Sequence, residues 1–236
     1  MEFLGRLLVP GMRSAQIAAI KNRAANNMNK IHKGPLHSIG FFGSSTSVPG
    51  SPSYEAAFDT AKLIAQSGRR VVNGGGPGIM LGATMGAKKV GGKISVVYYR
   101  PEMATDFEGS VGKNKGDEIF EEQNYILRTK KLLELSDAFI IFKGGTGTLS
   151  EFAMAWGISR LYIGHHKPIV LFGEFWRPIM AALHEHLKIR KEESSLYKIV
   201  TTPEQAMEAI GYYEKIIYQR KHEHENCSGT ECKLLI

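Results

Sequence analysis

From Ser38 onward the chain alternates short, unbroken apolar runs with longer stretches of helical period, and few folds accept that pattern. Ile39 to Phe42 leads into helical spacing over Ala56 to Gln66, Val71 and Val72 lead into Ile79 to Val90, and Ile94 to Tyr98 comes next. A Gly- and Lys-containing loop from Pro101 to Gly116 interrupts the series. It resumes with a helix over Tyr125 to Leu135, the run Ala138 to Phe142 and a helix over Leu149 to Ile163. The run Pro168 to Phe172, a helix over Phe175 to Leu187, a short strand at Lys198 to Val200 and a helix opening at Pro203 complete it. Continuous rather than alternating apolar runs mark strands buried on both faces, as when helices cover both sides of a parallel sheet. The predicted fold is α/β, a doubly wound parallel sheet with helices on both faces.

A chain of 236 residues with 43% hydrophobic content suits one core, so the series is read as a single domain. Its ends differ from it in composition. Residues 1–36 carry Arg6, Arg13, Lys21, Arg23, Lys30 and Lys33 against one acid, Glu2, so five of the seven net positive charges lie there. Ile17, Ile20, Ala24, Met28 and Ile31 keep helical spacing in this segment, and the serine richness and long apolar run of targeting signals are missing, which favours a basic helical arm over a transit peptide. Gly34 and Pro35 close the arm, and the folded domain is expected over 37–219 with a polar tail over 220–236. The tail holds His222, Glu223, His224, Glu225 and both cysteines, Cys227 and Cys232, but a structural zinc site needs four ligands at defined spacing, so no metal is expected. No window approaches the roughly 20 apolar residues of a bilayer span, and two cysteines cannot build a disulfide scaffold.

Ligands of a doubly wound sheet bind outside the carboxyl ends of its strands, so the residues immediately after each apolar run are the informative ones. Three glycine- and hydroxyl-rich loops stand there: Gly43-Ser44-Ser45-Thr46-Ser47, Asn73-Gly74-Gly75-Gly76-Pro77-Gly78, and Lys143-Gly144-Gly145-Thr146-Gly147-Thr148. Loops of this kind present backbone N–H groups to an anion at a helix N-terminus, where the macrodipole favours negative charge. None has the P-loop form, and the second departs from the dinucleotide Gly-x-Gly-x-x-Gly pattern in spacing and position, so a nucleoside triphosphatase and a nicotinamide dehydrogenase are disfavoured.

Three motifs in order carry a family resemblance: the glycine loop running from Gly74 to Gly82, Arg128 standing nine residues before Asp137-Ala138-Phe139, and Lys143 to Glu151 matching Pro-Gly-Gly-x-Gly-Thr-x-x-Glu. Over about Ile39 to Ile210 the chain resembles the LONELY GUY family, Rossmann-like nucleoside 5′-monophosphate phosphoribohydrolases that activate cytokinins and are often mislabelled lysine decarboxylases. It departs from the family at Lys143, where proline is usual, and at Thr129, where lysine is usual, with Lys130 and Lys131 just beyond.

The resemblance implies hydrolysis of the N-glycosidic bond of a nucleoside 5′-monophosphate, without metal or cofactor, by a cytoplasmic homodimer whose second subunit helps to build the site. Glu151 is then the carboxylate that stabilises the oxocarbenium-like ribose and orients or deprotonates water, and Arg128 binds the leaving base or the ribose phosphate. Gly144, Gly145, Thr146, Gly147 and Thr148 would cradle the phosphate, with Gly43, Ser44 and Ser45 assisting and Gly75 and Gly76 permitting close approach. Thr148 and Glu151 also fit the spacing of a capping box, which would make the acid structural. Met80 and Met85 are read as core filler and left outside the site. Gly164-His165-His166-Lys167-Pro168 resembles the Ser-x-His-Lys of cofactor-bearing decarboxylases, but a Schiff-base lysine belongs in a large two-domain setting and Lys167 directly precedes a strand. Two other functions stay open. A carrier for a phosphorylated nucleotide or cofactor, similar to the molybdenum-cofactor carriers, would keep the cradle and drop the turnover. Nucleic-acid binding through the basic arm ranks last, because the arm lacks interleaved aromatics.

Overall fold

The computed structural model describes residues 34–99, 114–163 and 166–220. The predicted arm (apart from its last residues) and nearly all of the predicted tail lie outside them. The elements are β1 (Ser38–Phe42), α1 (Pro52–Gln66), β2 (Arg70–Asn73), α2 (Ile79–Lys89), β3 (Ile94–Tyr99) and β4 (Glu118–Glu122). They continue with α3 (Tyr125–Leu135), β5 (Ala138–Ile141), α4 (Thr146–Leu161), β6 (Ile169–Phe172), α5 (Trp176–His186), a 3-10 turn (Lys191–Leu196), β7 (Tyr197–Val200) and α6 (Pro203–Arg220). The seven strands form one sheet in the order β4-β3-β2-β1-β5-β6-β7, every neighbouring pair parallel.

The chain winds outward from β1 to β4, then returns across the middle to lay β5 on the other side of β1, with Ile39 beside Ala138 and Phe42 beside Ile141. That reversal separates the loops after β1 and β5 from the crossovers on either flank and opens a crevice at the carboxyl edge. Alternate residues of each central strand enter opposite cores. Phe41, Val71, Val96 and Ile140 pack with Ala61 and Ile64 of α1, Ala83 and Ala87 of α2, and Ile210 and Tyr213 of α6. Phe42, Val72, Val97 and Ile141 pack on the other face with Leu132 of α3, Phe152 and Trp156 of α4, and Trp176 and Met180 of α5. The predicted double winding is thus observed as a single sheet with two helical layers.

One strand falls where the sequence reading has none. In β4, Glu-Ile-Phe-Glu-Glu, three of five residues are acidic, so no apolar run announces it. Among the described residues it pairs only with β3, Ser95 beside Glu118 through Tyr99 beside Glu122, and as an edge strand it needs no continuous burial. Two helices also start earlier than expected. α1 opens at Pro52 because Ser51 caps it, its hydroxyl accepting from the Tyr54 N–H at 3.4 Å, and proline suits the first helical position. α4 opens at Thr146 with Gly145 as its cap and no side chain closing its end. The capping-box reading of Thr148 and Glu151 is therefore corrected: Thr148 lies inside the helix, and Glu151 points elsewhere.

Candidate active site

The three loops meet where β1 and β5 run side by side. The Ser44 N–H donates to the Lys143 carbonyl at 2.9 Å, and the Ser44 carbonyl accepts from the Ile79 N–H, also at 2.9 Å, so one residue ties all three together. Gly78 is required there. Its φ is +67°, and a Cβ would lie 2.1 Å from the Ser44 carbonyl oxygen. Between the loops opens a cavity of about 670 Å³, a size typical of small-molecule sites.

Of the residues singled out in the sequence, Gly43, Ser44, Ser45, Gly76, Gly144, Gly145, Thr146, Gly147, Thr148, Arg128 and Glu151 all line this cavity. Gly75 does not. Its φ is +73° and its missing side chain would collide with the Tyr98 ring at 2.1 Å, so it lets the loop turn against β3 rather than approach a ligand. α4 begins without a side-chain cap, so no side chain closes its first-turn N–H groups, and Gly145 to Thr148 at that end line the cavity, the setting in which a helix N-terminus accepts an anion. The hydroxyls of Ser44 and Thr46 lie across from it, 2.8 Å from each other.

Arg128 is buried, and three elements hold its guanidinium. Nε donates to the Val97 carbonyl at 3.2 Å, Nη2 to the Gly74 carbonyl at 3.1 Å, and Nη1 to Glu151 Oε1 at 3.1 Å. Both side chains of the pair are 9% exposed. Asn124 positions the helix that carries Arg128, its side-chain oxygen accepting from the Leu127 N–H at 2.9 Å. Burial pushes the Glu151 carboxyl above its ordinary value, and the adjacent guanidinium opposes that without cancelling it. A carboxylate so placed is a stronger base than an exposed one.

A buried polar cluster supports the glycine loop from beneath. The Asn73 amide donates to the Thr84 hydroxyl at 2.9 Å, that hydroxyl donates to Asn114 Oδ1 at 2.6 Å, and Asn114 Nδ2 donates to the Gly76 carbonyl at 2.8 Å. Asn73 Oδ1 in turn accepts from the Gly75 N–H at 2.9 Å. All three side chains are wholly buried, so the loop that holds Arg128 rests on a satisfied network rather than on open space.

Several lining residues were missed. Thr46 and Ser47 belong to a loop already noted, Ser53 bonds Ser47 at 3.0 Å, and Lys143 was noted only as a departure. Met80, assigned to the core, lines the cavity instead, its sulfur 4.0 Å from Arg128 Nη2; Met85 is exposed. Tyr99 and Tyr125 also line it. Tyr99 directly ends an apolar strand and Tyr125 sits three residues before Arg128 on one helix, and those two positions are the sequence signals for this wall of the cavity. Thr129, the other departure, is wholly buried and turned into the core. Among the described residues no group of three or more His, Cys, Asp or Glu side chains is placed to hold a metal ion, and no helix is long and apolar enough to cross a membrane.

A family model described as possible lysine decarboxylase matches residues 71–210, which include both the glycine loop and the Arg128–Glu151 pair. A Mycobacterium tuberculosis protein named cytokinin riboside 5′-monophosphate phosphoribohydrolase is 34% identical over 118 residues, 50% of this chain and 60% of that one. The chain belongs to the LONELY GUY family. An Oryza sativa subsp. japonica member, named a probable cytokinin riboside 5′-monophosphate phosphoribohydrolase, is 26% identical over 185 residues, 74% of this chain and 73% of that one. The fold is also that of the molybdenum cofactor binding protein from Rippkaea orientalis, with a TM-score of 0.56 at 24% identity, covering 75% of this chain and 97% of that one. The decarboxylase wording finds no support in Lys167. Its ammonium donates to the Leu133 carbonyl at 2.7 Å, at the amino edge of the sheet, beside a void of only about 10 Å³. The large cavity of this LONELY GUY protein lies at the opposite edge.

Proposed function

We propose that the protein hydrolyses the N-glycosidic bond of a nucleoside 5′-monophosphate, water and nucleotide giving free base and ribose 5-phosphate. The observation that carries this reading is the buried Arg128–Glu151 pair opening onto the same cavity as the uncapped start of α4. The phosphate lies against the amides of Gly145 to Thr148, with the hydroxyls of Ser44, Thr46 and Thr148 as further donors. Glu151, one turn into α4, then faces the anomeric carbon. As the bond to the base lengthens, positive charge grows on the ribose and the carboxylate stabilises it, in a site where water screens little. Glu151 takes a proton from the attacking water while the electron pair of the broken C–N bond leaves on the base nitrogen. One proton then returns the base to its neutral form, matching the one that Glu151 releases as the carboxylate is regenerated, and Arg128 fixes the carboxylate and faces the departing base. The two relatives named as phosphoribohydrolases support the same chemistry. The reading includes a cytoplasmic homodimer, for which Ile126 on α3 and Leu149 on α4, 63% and 51% exposed and each next in the chain to a residue that lines the cavity, supply apolar surface.

The carrier reading retains one observation in its favour. Lys143 lines the cavity, and its ammonium, 5.8 Å from the centroid of the Phe175 ring, puts a cation beside the third glycine loop that suits holding an anion more than breaking a glycosidic bond. Incubation with a panel of nucleoside 5′-monophosphates, followed by chromatography, separates the two. Base released from monophosphates and not from the matching nucleosides is the expected result; binding across the panel with no base released would make the protein a carrier.

The raised Glu151 carboxyl also sets a pH dependence. Since the carboxylate form works, activity is present above its pKa and lost as pH falls through it. The acid limb of kcat/KM is expected above the ordinary glutamate range of about 4.3. The substrate phosphate also titrates on the acid side, so the profile is measured with AMP and with its phosphorothioate, whose second proton leaves at lower pH. A limb that moves with the substrate would remove Glu151 as its source.

A further inference from the structure

The Arg128–Glu151 pair and the start of α4 leave one wall of the cavity without a role, and that wall is aromatic. Tyr99 ends β3 and Tyr125 opens α3, with ring centroids 6.1 Å apart and planes at 73°. Tyr125 precedes Arg128 by one helical turn, which puts both side chains on the same face of α3. Its hydroxyl is already engaged, bonded to the Ser150 hydroxyl and to the Gly147 carbonyl at 3.2 Å. Those two contacts tie the ring to the first turn of α4, next to Glu151. What it offers a ligand is therefore its carbon surface, in a fixed orientation. Met80 lines the same cavity from α2, its polarisable sulfur near the Arg128 guanidinium.

We propose that Tyr99 and Tyr125 form the recognition wall for the leaving base, making them specificity-determining residues of this site. The proposal rests on the nucleotide reading above and extends it, assigning the third part of the ligand. A planar heteroaromatic ring lies on the face of one tyrosine and meets the edge of the other, the arrangement that perpendicular ring planes allow. Such a wall separates nucleotides from bare sugar phosphates. It discriminates weakly among bases, because every base presents a π-face.

Calorimetry with AMP and with ribose 5-phosphate tests this, in a Glu151→Gln background so that AMP survives the titration. The parent is expected to bind AMP more tightly than ribose 5-phosphate. Tyr125→Ala weakens AMP by about tenfold, the scale of one base–aromatic stack, and leaves ribose 5-phosphate within about twofold. Tyr125→Phe keeps the ring and the AMP affinity, and Tyr99→Leu repeats the selective loss from the other side of the wall. Equal weakening of both ligands would show that Tyr125 merely positions α4, and unchanged AMP affinity would show that the base lies elsewhere; either overturns the proposal. Base release by wild-type protein, with no change of ligand preference in Tyr125→Ala, removes the wall and keeps the hydrolase. A Tyr125-dependent preference in a protein that releases no base does the reverse, and a parent that binds neither ligand removes both.

Discussion

Glu151→Gln is expected to lower the rate of base release by about a hundredfold to a thousandfold while AMP still binds, the range seen when one electrostatic contact to a transition state is deleted. Glutamine keeps the shape of the side chain, and its amide oxygen can still accept from Arg128 Nη1 where Glu151 Oε1 accepts at 3.1 Å. It loses the negative charge that meets the oxocarbenium and the basicity that takes a proton from water. The loss therefore falls on kcat more than on KM, since the ground-state nucleotide carries no positive charge on its ribose for the carboxylate to meet. A thermal melt accompanies the kinetics, because a buried guanidinium facing a neutral partner is less stable than one facing a carboxylate. Turnover within a few-fold of wild type in a folded Glu151→Gln protein would sink the assignment. A rise in KM with kcat preserved would make Glu151 a ground-state binding group only.

How much of this was legible in the sequence depended on whether a residue's role was local. β1, β2, β3, β5 and β6 announce themselves because parallel strands buried on both faces must be apolar throughout, and the glycine loops announce themselves because they come directly after those strands. The pairing of Arg128 with Glu151 was legible only as two positions in family motifs; that they touch is a property of α3 and α4 lying side by side on one face of the sheet. β4 was hidden because an edge strand obeys no burial pattern strong enough to see, and its acids suggested loop. Met80 was misassigned because helical spacing on α2 cannot tell a residue facing the core from one at the cavity's edge: Ile79 beside it is fully buried, Met80 is not. The Asn73–Thr84–Asn114 cluster was invisible, since nothing local to any of the three marks it as half of a hydrogen bond. Gly75 shows the limit from the other side. Its type was right for a glycine loop, but which way its absent side chain would point is set by Tyr98, and it points away from the cavity.

Gly74 makes the sharpest test, because its role is to leave room. A Cβ there would lie 1.6 Å from Arg128 Nη2 and 2.7 Å from its Cζ, with Met80 Sδ at 3.2 Å. An exposed arginine tip would simply swing aside. This one is held by the Val97 carbonyl, the Gly74 carbonyl and Glu151, in a pocket where its side chain is 9% exposed, so displacement means breaking charge-assisted hydrogen bonds that water cannot replace. Gly74→Ala is expected to push the guanidinium off the Gly74 carbonyl and rotate Glu151 with it, lowering kcat/KM by at least about a hundredfold, the cost of misplacing a reacting group by about 1 Å. The phosphate cradle at the start of α4 is untouched by that change, so ribose 5-phosphate should still bind. Gly157→Ala is the matched control: it sits on the exposed side of α4 with nothing within 4 Å of its Cβ, and is expected to raise stability by about 0.4–1 kcal/mol with activity unchanged. A folded Gly74→Ala protein that turns over as fast as wild type would mean that Arg128 need not stand where these three contacts place it, and the reaction would then have to be rebuilt around Glu151 alone.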